Sequence, residues 1–303
     1  MRLLTLGVGI RGAKIAEMLA KKGVKVNRVP LFKSFAILND AEALHSVSLP
    51  EDRKFFVMND VSGAVARATG IHEITEGNLV ILSLEDDFAY SCALEIVEKL
   101  RGTTEDYTIV LAIVPQLDAS NIVEVRERIR ALRSLCDIMF LFKGSTETDE
   151  LIFKSFNLLS LAGEIDIRRR VAGEVVIDTS DIFNSLKGEG FSIVGYAERK
   201  LPFLSFLRAG VEMKAIRTRR MLEMLEDAMR NLSMDSDVSE ASSALLLYAA
   251  PPREVTMEGM FAAINRLESL NDDIVVRYGD YPTNSRRMSV VVLFSGVRKI
   301  HVA

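Results

Sequence analysis

A glycine-rich segment near the start of the chain has the residue types that an anion-binding turn needs. It follows an apolar run, precedes an amphipathic stretch, and reads Gly7-Val8-Gly9-Ile10-Arg11-Gly12. Glycine lets backbone N–H groups approach an anion closely, and the first turn of a helix leaves N–H groups that attract negative charge. The segment therefore predicts a phosphate-binding turn, whose candidate contacts are Gly7, Gly9, Ile10, Arg11 and Gly12.

A dinucleotide is one ligand that this turn could hold. Such a site needs an acidic residue roughly 20 residues after the glycines, where it bonds the ribose hydroxyls. The stretch 24–36 contains no Asp or Glu, although Arg28 or Lys33 could bind a 2′-phosphate. An NAD(P)-binding enzyme is therefore the weaker alternative. The chain also has no Gly-Lys-Ser/Thr sequence, which excludes a P-loop nucleotide-binding protein.

Asp178 and Asp181 stand three residues apart after an apolar run. Asp181, with Thr179 and Ser180 before it, suits the N-cap of a helix over Ile182–Lys187. No comparable local role is evident for Asp178.

No residue pattern predicts metal or thiol chemistry. The histidines are scattered, at His45, His72 and His301, and the two cysteines are far apart. Cys92 and Cys136 thus indicate neither a disulfide framework nor a metal site, and they fit a reducing cytoplasm. A formal net charge of -4 gives no reason to expect a nucleic-acid partner. No apolar run approaches the ~20 residues of a membrane-spanning helix, so we predict a cytoplasmic protein that does not insert into a membrane.

Apolar runs alternate with helical patterns through the first half of the chain. The runs predict strands at Leu3–Leu6, Phe35–Leu38, Lys54–Met58, Leu79–Leu84, Thr108–Val114 and Ile138–Phe142. The helical patterns cover Ala13–Lys22, Val61–Thr69, Phe88–Arg101 and Ala119–Ser134. This alternation is typical of an α/β fold with a mostly parallel sheet covered on both faces. Ligands bind such sheets at the carboxyl ends of the strands, where the glycine-rich turn falls.

The second half of the chain has a different pattern of predicted helices and strands. A long helix is predicted after the polar stretch 145–149, with one face formed by Ile152, Phe156, Leu159 and Gly163. Strands follow at Glu174–Ile177, Ser192–Tyr196, Ala244–Tyr248, Ile274–Arg277 and Ser289–Phe294, with helices at Arg208–Leu232 and Thr256–Leu270. The turn 279–284 predicts that the last two strands are antiparallel neighbours. We predict a nucleotide-binding domain over 1–145, a central connecting helix over 146–171 and an α+β domain over 172–303.

Several segments match the motifs of one family. Its Ala-Ile-Asn-Thr-Asp-Ala-Gln-Ala-Leu stretch, which follows a glycine-rich first loop, is matched by Asp40, Ala41, Ala43 and Leu44. Both acids of its Asn-x-Asp-x-x-Asp loop are matched by Asp178 and Asp181. Along nearly its whole length the chain thus resembles the FtsZ/tubulin superfamily of self-assembling GTPases. The resemblance implies a Rossmann-like GTPase domain with a parallel sheet, a central helix and a smaller α+β C-terminal domain.

The resemblance also implies a ligand and a partner. The ligand is GTP or GDP, with Mg²⁺ as an optional accompanying ion, and Asp40 is among the residues that the resemblance implies to contact it. In the family a Phe lies near the guanine base and an Asn or Asp four residues later bonds the edge of the base. Phe153 and Asn157 have this spacing, and an Asn amide can both donate and accept. The loop acids act across a subunit contact, which implies that Asp178 and Asp181 are catalytic residues, with Asp178 the stronger candidate. The partner is then a second copy in a filament, or an FtsZ-family relative.

One segment departs from the family. Where it has the phosphate loop Gly-Gly-Gly-Thr-Gly-Thr-Gly, this chain has Glu85-Asp86-Asp87, and Asp86 or Asp87 suits the cap of the next helix. Carboxylates repel a polyphosphate by roughly 1 kcal/mol per close pair in water, unless Mg²⁺ bridges them. Two functions therefore stay open: a weak or assembly-dependent GTPase completed in trans by Asp178 and Asp181, and a non-hydrolysing structural relative that keeps the fold.

Overall fold

The computed structural model describes residues 1–58, 60–70, 74–162, 164, 175, 177–202 and 211–299. Contacts between residues divide the chain into two compact units, Met1–Phe153 and a second unit that begins at Lys154. The boundary falls inside helix α6 (Thr148–Leu159). The three-part domain division given above stays a prediction.

Within the described residues, the first unit is built on six parallel strands. They are β1 (Leu3–Val8), β4 (Phe32–Leu38), β5 (Lys54–Phe56), β6 (Gly77–Ser83), β7 (Tyr107–Val114) and β8 (Ile138–Lys143). Their order across the sheet is β8-β7-β6-β1-β4-β5, and each neighbouring pair is parallel. Every residue of β1, β4 and β6 is buried, as expected for a sheet covered on both faces. All six predicted strands are confirmed.

In the part of the chain that the structure describes, five helices and a small hairpin connect these strands. The helices are α1 (Gly9–Lys22), α2 (Ala41–Ser46), α3 (Val61–Thr69), α4 (Asp87–Thr103) and α5 (Ile122–Leu135). The hairpin pairs β2 (Lys25–Val26) with β3 (Val29–Pro30). The four predicted helices are confirmed, whereas α2 and the hairpin are too short to show a periodic apolar pattern.

The parallel strands bring several chain segments to one edge of the sheet. The carboxyl ends of β1, β4 and β6 are neighbours, because β1 pairs with both other strands. The glycine-rich turn follows β1, Asp40 follows β4, and the acidic segment 85–87 follows β6. The candidate residues of the first unit therefore share the edge where ligands bind to such sheets.

The described residues of the second unit include a mixed sheet of four strands. They are β9 (Phe191–Lys200), β10 (Ser243–Ala250), β11 (Val275–Pro282) and β12 (Arg287–Val297). Helices α7 (Thr179–Leu186), α8 (Val211–Arg230) and α9 (Met257–Glu268) belong to the same unit. On α6, the predicted apolar face is buried at Ile152, Phe156 and Leu159, and its last predicted member, Gly163, lies outside the described residues.

The predicted pairing of the last two strands is wrong. The order is β11-β10-β12-β9, so that β10 lies between β11 and β12. The crossover through α9 places β11 parallel to β10, and β12 then pairs antiparallel with the other side of β10. Of the predicted strand Glu174–Ile177, residues 174 and 176 lie outside the described residues, but Val175 exchanges hydrogen bonds of 2.8 and 3.0 Å with Asp280.

Close packing of α1 on the sheet depends on Gly12. A Cβ at this position would collide with the carbonyl oxygen of Ile81 and lie 3.2 Å from the carbonyl carbon. We therefore expect Gly12→Ala to lower the free energy of unfolding by about 1–3 kcal/mol, measured by urea denaturation. Gly102→Ala in α4 is the matched control, because nothing lies within 4 Å of its Cβ position, and we expect a gain of about 0.4–1 kcal/mol. Equal effects of the two substitutions would contradict this account.

Candidate functional site

The first turn of α1 is open to an anion. Its N-cap residue, Val8, makes no side-chain hydrogen bond to the helix, and the first turn contains no acidic residue. Gly9 has a φ of +72°, a left-handed conformation that a side chain disfavours. Ile10 is 61% exposed, so solvent reaches this turn. The N–H groups of Gly9, Ile10 and Arg11 are thus the backbone donors best placed to bind a phosphate.

Gly7 and Gly12 have a packing role in the same segment. A Cβ at Gly7 would collide with the carbonyl oxygen of Gly12 and lie 2.7 Å from Cβ of Ala16. Both glycines are buried where α1 lies against the sheet. They therefore position the turn by allowing α1 to approach β1 and β6, and direct contact of either residue with a ligand stays a prediction.

The Asp86 carboxylate lies opposite Gly9. A Cβ at Gly9 would collide with Oδ2 of Asp86 and lie 2.8 Å from Cβ of Ala89. Oδ1 of Asp86 accepts the N–H of Ala89 at 2.9 Å, so that Asp86 is the N-cap of α4. This confirms the predicted capping role of the acidic segment. The Asp86 carboxylate also places a negative charge beside the glycine-rich first turn of α1.

Arg128 of α5 holds the acidic segment in place. One of its nitrogens donates to the carbonyl oxygen of Leu84 at 2.8 Å, and another pairs with Asp87 and Glu124. The guanidinium also lies over the ring of Tyr90, 4.9 Å from its centroid. The Arg128 side chain is only 11% exposed. Sequence reasoning missed this residue, because nothing local in α5 distinguishes Arg128 from the other arginines of that helix.

The Arg11 side chain points to the start of α6. Its Nε donates to Oδ1 of Asp149 at 2.9 Å, and an Nη group donates to the carbonyl oxygen of Ser145 at 3.0 Å. A groove of about 490 Å³ runs along α1 within the same unit, and its lining includes Lys14, Met18 and Asp149. The predicted contribution of Arg11 to a ligand site thus rests on its backbone, because its guanidinium is engaged within the protein.

Asp40 is the N-cap of α2. Its Oδ1 accepts the N–H groups of Glu42 and Ala43, both at 2.9 Å, and the residue is exposed. Because β4 is the neighbour of β1, Asp40 lies at the same edge of the sheet as the glycine-rich turn. A contact between Asp40 and a nucleotide stays a prediction.

Phe153 and Asn157 occupy one face of α6, one turn apart, and both are half-buried. Phe153 belongs to the first unit and Asn157 to the second. The carbonyl oxygen of Asn157 accepts the hydroxyl of Ser160 at 2.9 Å. The predicted contacts of Phe153 and Asn157 with a base stay predictions.

Asp178 and Asp181 form a reciprocal cap at the start of α7. Oδ1 of Asp178 accepts the N–H of Asp181 at 2.8 Å, and Oδ2 of Asp181 accepts the N–H of Asp178 at 3.3 Å. The expectation that Asp178 has no local role was therefore wrong. The helix begins at Thr179 rather than Ile182, which makes Asp178 the N-cap and Asp181 the N3 residue. Asp181 also lies 3.8 Å from Nε of Arg277.

The residues that the structure describes form neither a metal site nor a site with a reactive thiol. Among them, no group of three or more His, Cys, Asp or Glu side chains is arranged to hold a metal ion. Cys92 and Cys136 are both free and buried. Burial raises the pKa of the Cys92 thiol to about 12 and that of the Cys136 thiol to about 11. No helix within the described ranges combines the length and apolarity needed to cross a membrane.

Comparison with known proteins relates the chain to tubulin. A family model described as the C-terminal domain of tubulin-like CetZ matches residues 141–302. CetZ1 from Haloferax volcanii is 24% identical, over 99% of this chain and 89% of its own length. The predicted membership of the FtsZ/tubulin superfamily is thereby confirmed.

Three solved structures share the fold. CetZ1 from Haloferax volcanii, a GDP-bound monomer, has a TM-score of 0.81 at 20% identity and covers 100% of this chain and 96% of its own. CetZ2 from the same organism, a GTPγS-bound protofilament, has a TM-score of 0.77 at 20% identity, with coverages of 99% and 95%. An FtsZ variant from M. jannaschii has a TM-score of 0.71 at 15% identity, with coverages of 98% and 91%. These values confirm the predicted FtsZ/tubulin-like α/β fold.

The two buried thiols give a test of the packing of the first unit. Because burial raises their pKa values to about 12 and about 11, we expect almost no thiolate at pH 8 in the folded protein. A chromogenic disulfide reagent should then react slowly with the native protein. Once the protein is denatured, the reagent should react rapidly and titrate two thiols per chain. Rapid reaction of either cysteine in the native protein would contradict the described burial.

Proposed function

This chain belongs to the tubulin-like CetZ family, and on that premise we propose that it binds a guanine nucleotide, GTP or GDP, and assembles with copies of itself into filaments. The observation that carries the proposal is the uncapped first turn of α1 at the carboxyl edge of the parallel sheet. A phosphate suits this position because the N–H groups and the helix dipole both attract negative charge.

The named relatives support both halves of the proposal. CetZ1 is described as a GDP-bound monomer and CetZ2 as a GTPγS-bound protofilament, and each covers nearly the whole of this chain. The two free, buried cysteines fit a protein that works in the reducing cytoplasm. The assembly partner is a second copy of this chain, or a relative of the same family.

A scaffold without hydrolysis is the second candidate function. Asp178 and Asp181 are engaged with the first turn of α7, which accounts for both acids without catalysis. The Asp86 carboxylate faces the turn that would receive phosphate, where a triphosphate would be repelled. In this form of the proposal the chain keeps the fold and the filament contacts, while the cleavage of GTP is slow or absent.

Nucleotide binding and assembly are tested together on the purified full chain. GTP, GDP and ATP are titrated by calorimetry with and without Mg²⁺, and assembly is followed by sedimentation. We expect GDP or GTP to bind more tightly than ATP, and pelletable polymer to form in the presence of guanine nucleotide. Absence of binding by all three nucleotides, under both conditions, would contradict the proposed function.

Two substitutions at Asp178 separate catalysis from capping. Asn is as good an N-cap as Asp, so Asp178→Asn should leave stability nearly unchanged, whereas Asp178→Ala should cost about 1 kcal/mol. If the Asp178 carboxylate completes a GTPase in trans, Asp178→Asn lowers phosphate release by about 10²-fold or more, and the specific activity of the wild type rises with protein concentration. Unchanged phosphate release in a well-folded Asp178→Asn protein would leave Asp178 as a cap alone.

A further inference from the structure

The Asp86 carboxylate stands between the first turns of two helices. Its Oδ1 accepts the N–H of Ala89 at 2.9 Å, in the first turn of α4. Its Oδ2 lies against Gly9, where a Cβ would collide with it, at the start of α1. One fixed carboxylate therefore lies beside the positive ends of two helix dipoles.

Hydrogen bonds hold this carboxylate in position. The N–H of Asp86 donates to the carbonyl oxygen of Ser83 at 3.3 Å, and its own carbonyl accepts the N–H of Tyr90 at 2.9 Å. Arg128 holds the flanking residues through the carbonyl of Leu84 and the carboxylate of Asp87. Moving Asp86 away from Gly9 would remove the cap of α4, so the carboxylate cannot swing aside without cost.

Two arginines of the neighbouring helices, Arg11 and Arg128, pair with other carboxylates. Arg11 pairs with Asp149 at 2.9 Å, and Arg128 pairs with Asp87 and Glu124. Within the part of the chain that the structure describes, Asp86 forms no ion pair with a lysine or an arginine. Its negative charge is therefore not neutralised by an ion pair, and it repels an anion that approaches the first turn of α1.

We propose that Asp86 is a specificity-determining residue that makes this site prefer a guanine nucleoside diphosphate to the triphosphate. The inference rests on the proposed nucleotide site and names the form of the ligand that the site selects. The N–H groups of Gly9, Ile10 and Arg11 attract a phosphate chain, while the Asp86 carboxylate opposes each further negative charge. The triphosphate carries more negative charge than the diphosphate and is repelled more strongly.

Coulomb's law sets the size of the preference. A unit charge about 4 Å from another changes an equilibrium about fivefold in water, and by a factor in the hundreds near a protein surface of lower effective dielectric constant. Asp86 is half-buried, so its environment lies between these two cases. We therefore expect the wild type to bind GDP at least about tenfold more tightly than GTPγS when Mg²⁺ is absent.

The test compares Asp86→Asn with Asp87→Asn in the full chain. Both remove one carboxylate from the same segment, and Asn preserves the cap of α4 at position 86. The Asp87 carboxylate faces Arg128 rather than Gly9, so Asp87→Asn is the matched control for a general change of charge. Dissociation constants for GDP and GTPγS are measured by calorimetry with Mg²⁺ and with a chelator, after thermal melts have established that each variant folds.

We expect Asp86→Asn to tighten GTPγS binding about tenfold and to bring its affinity close to that of GDP, while Asp87→Asn keeps the preference of the wild type. An unchanged ratio in Asp86→Asn, or an equal shift in both variants, would overturn this inference while nucleotide binding stands. Tighter binding of Mg²⁺–GTPγS by the wild type that is lost in Asp86→Asn would also overturn it, since Asp86 would then be a metal ligand. If neither nucleotide binds to any of the three proteins, the proposed function itself fails.

Discussion

The contact between the Asp86 carboxylate and Gly9 depends on the parallel sheet below it. Because β1 and β6 are parallel neighbours, the helices that follow them start at the same edge, with their N-termini facing one ligand region. Gly12 lets α1 pack against Ile81 of β6, which fixes the distance between the two helix starts. A carboxylate that caps α4 therefore also meets the open turn of α1.

This arrangement places a carboxylate beside the turn that would receive phosphate in the proposed nucleotide site. In the superfamily that the chain resembles, the segment after this strand is a glycine-rich loop that wraps phosphates. In this chain the segment contains the N-cap of α4 and is held by Arg128. The Asp86 carboxylate therefore brings a negative charge to the place where a phosphate would lie. The acids of α7 likewise have a local structural role, since Asp178 and Asp181 accept hydrogen bonds from each other's backbone N–H groups. Helix capping thus accounts for the positions of all three carboxylates.

Sequence reasoning succeeded where a local pattern carries the information. The six strands of the first unit are mostly apolar, and Asp86 is followed by an amphipathic helix, so both the strands and the cap were predictable. The place of β11 in the sheet was not predictable, because the neighbours of a strand depend on the path of its connection, here the crossover through α9. The start of α7 was placed three residues late, which hid the capping role of Asp178.

Long-range contacts explain what else the sequence could not reveal. Arg128 reaches Leu84 across 44 positions of the chain, and nothing near Arg128 indicates that partner. The proximity of Asp86 to Gly9 likewise follows from the register of β1 with β6. The glycine-rich turn was recognisable, but the charge that faces it was visible only as an acidic segment far along the chain.

The most direct test of this account is a titration of isotopically labelled protein with GDP, followed by the backbone amide resonances. The account predicts that the largest shifts fall on the N–H groups of Gly9, Ile10 and Arg11, with a smaller response in the first turn of α4. Saturable GDP binding that leaves these three amides unperturbed would contradict it, because the nucleotide would then bind elsewhere.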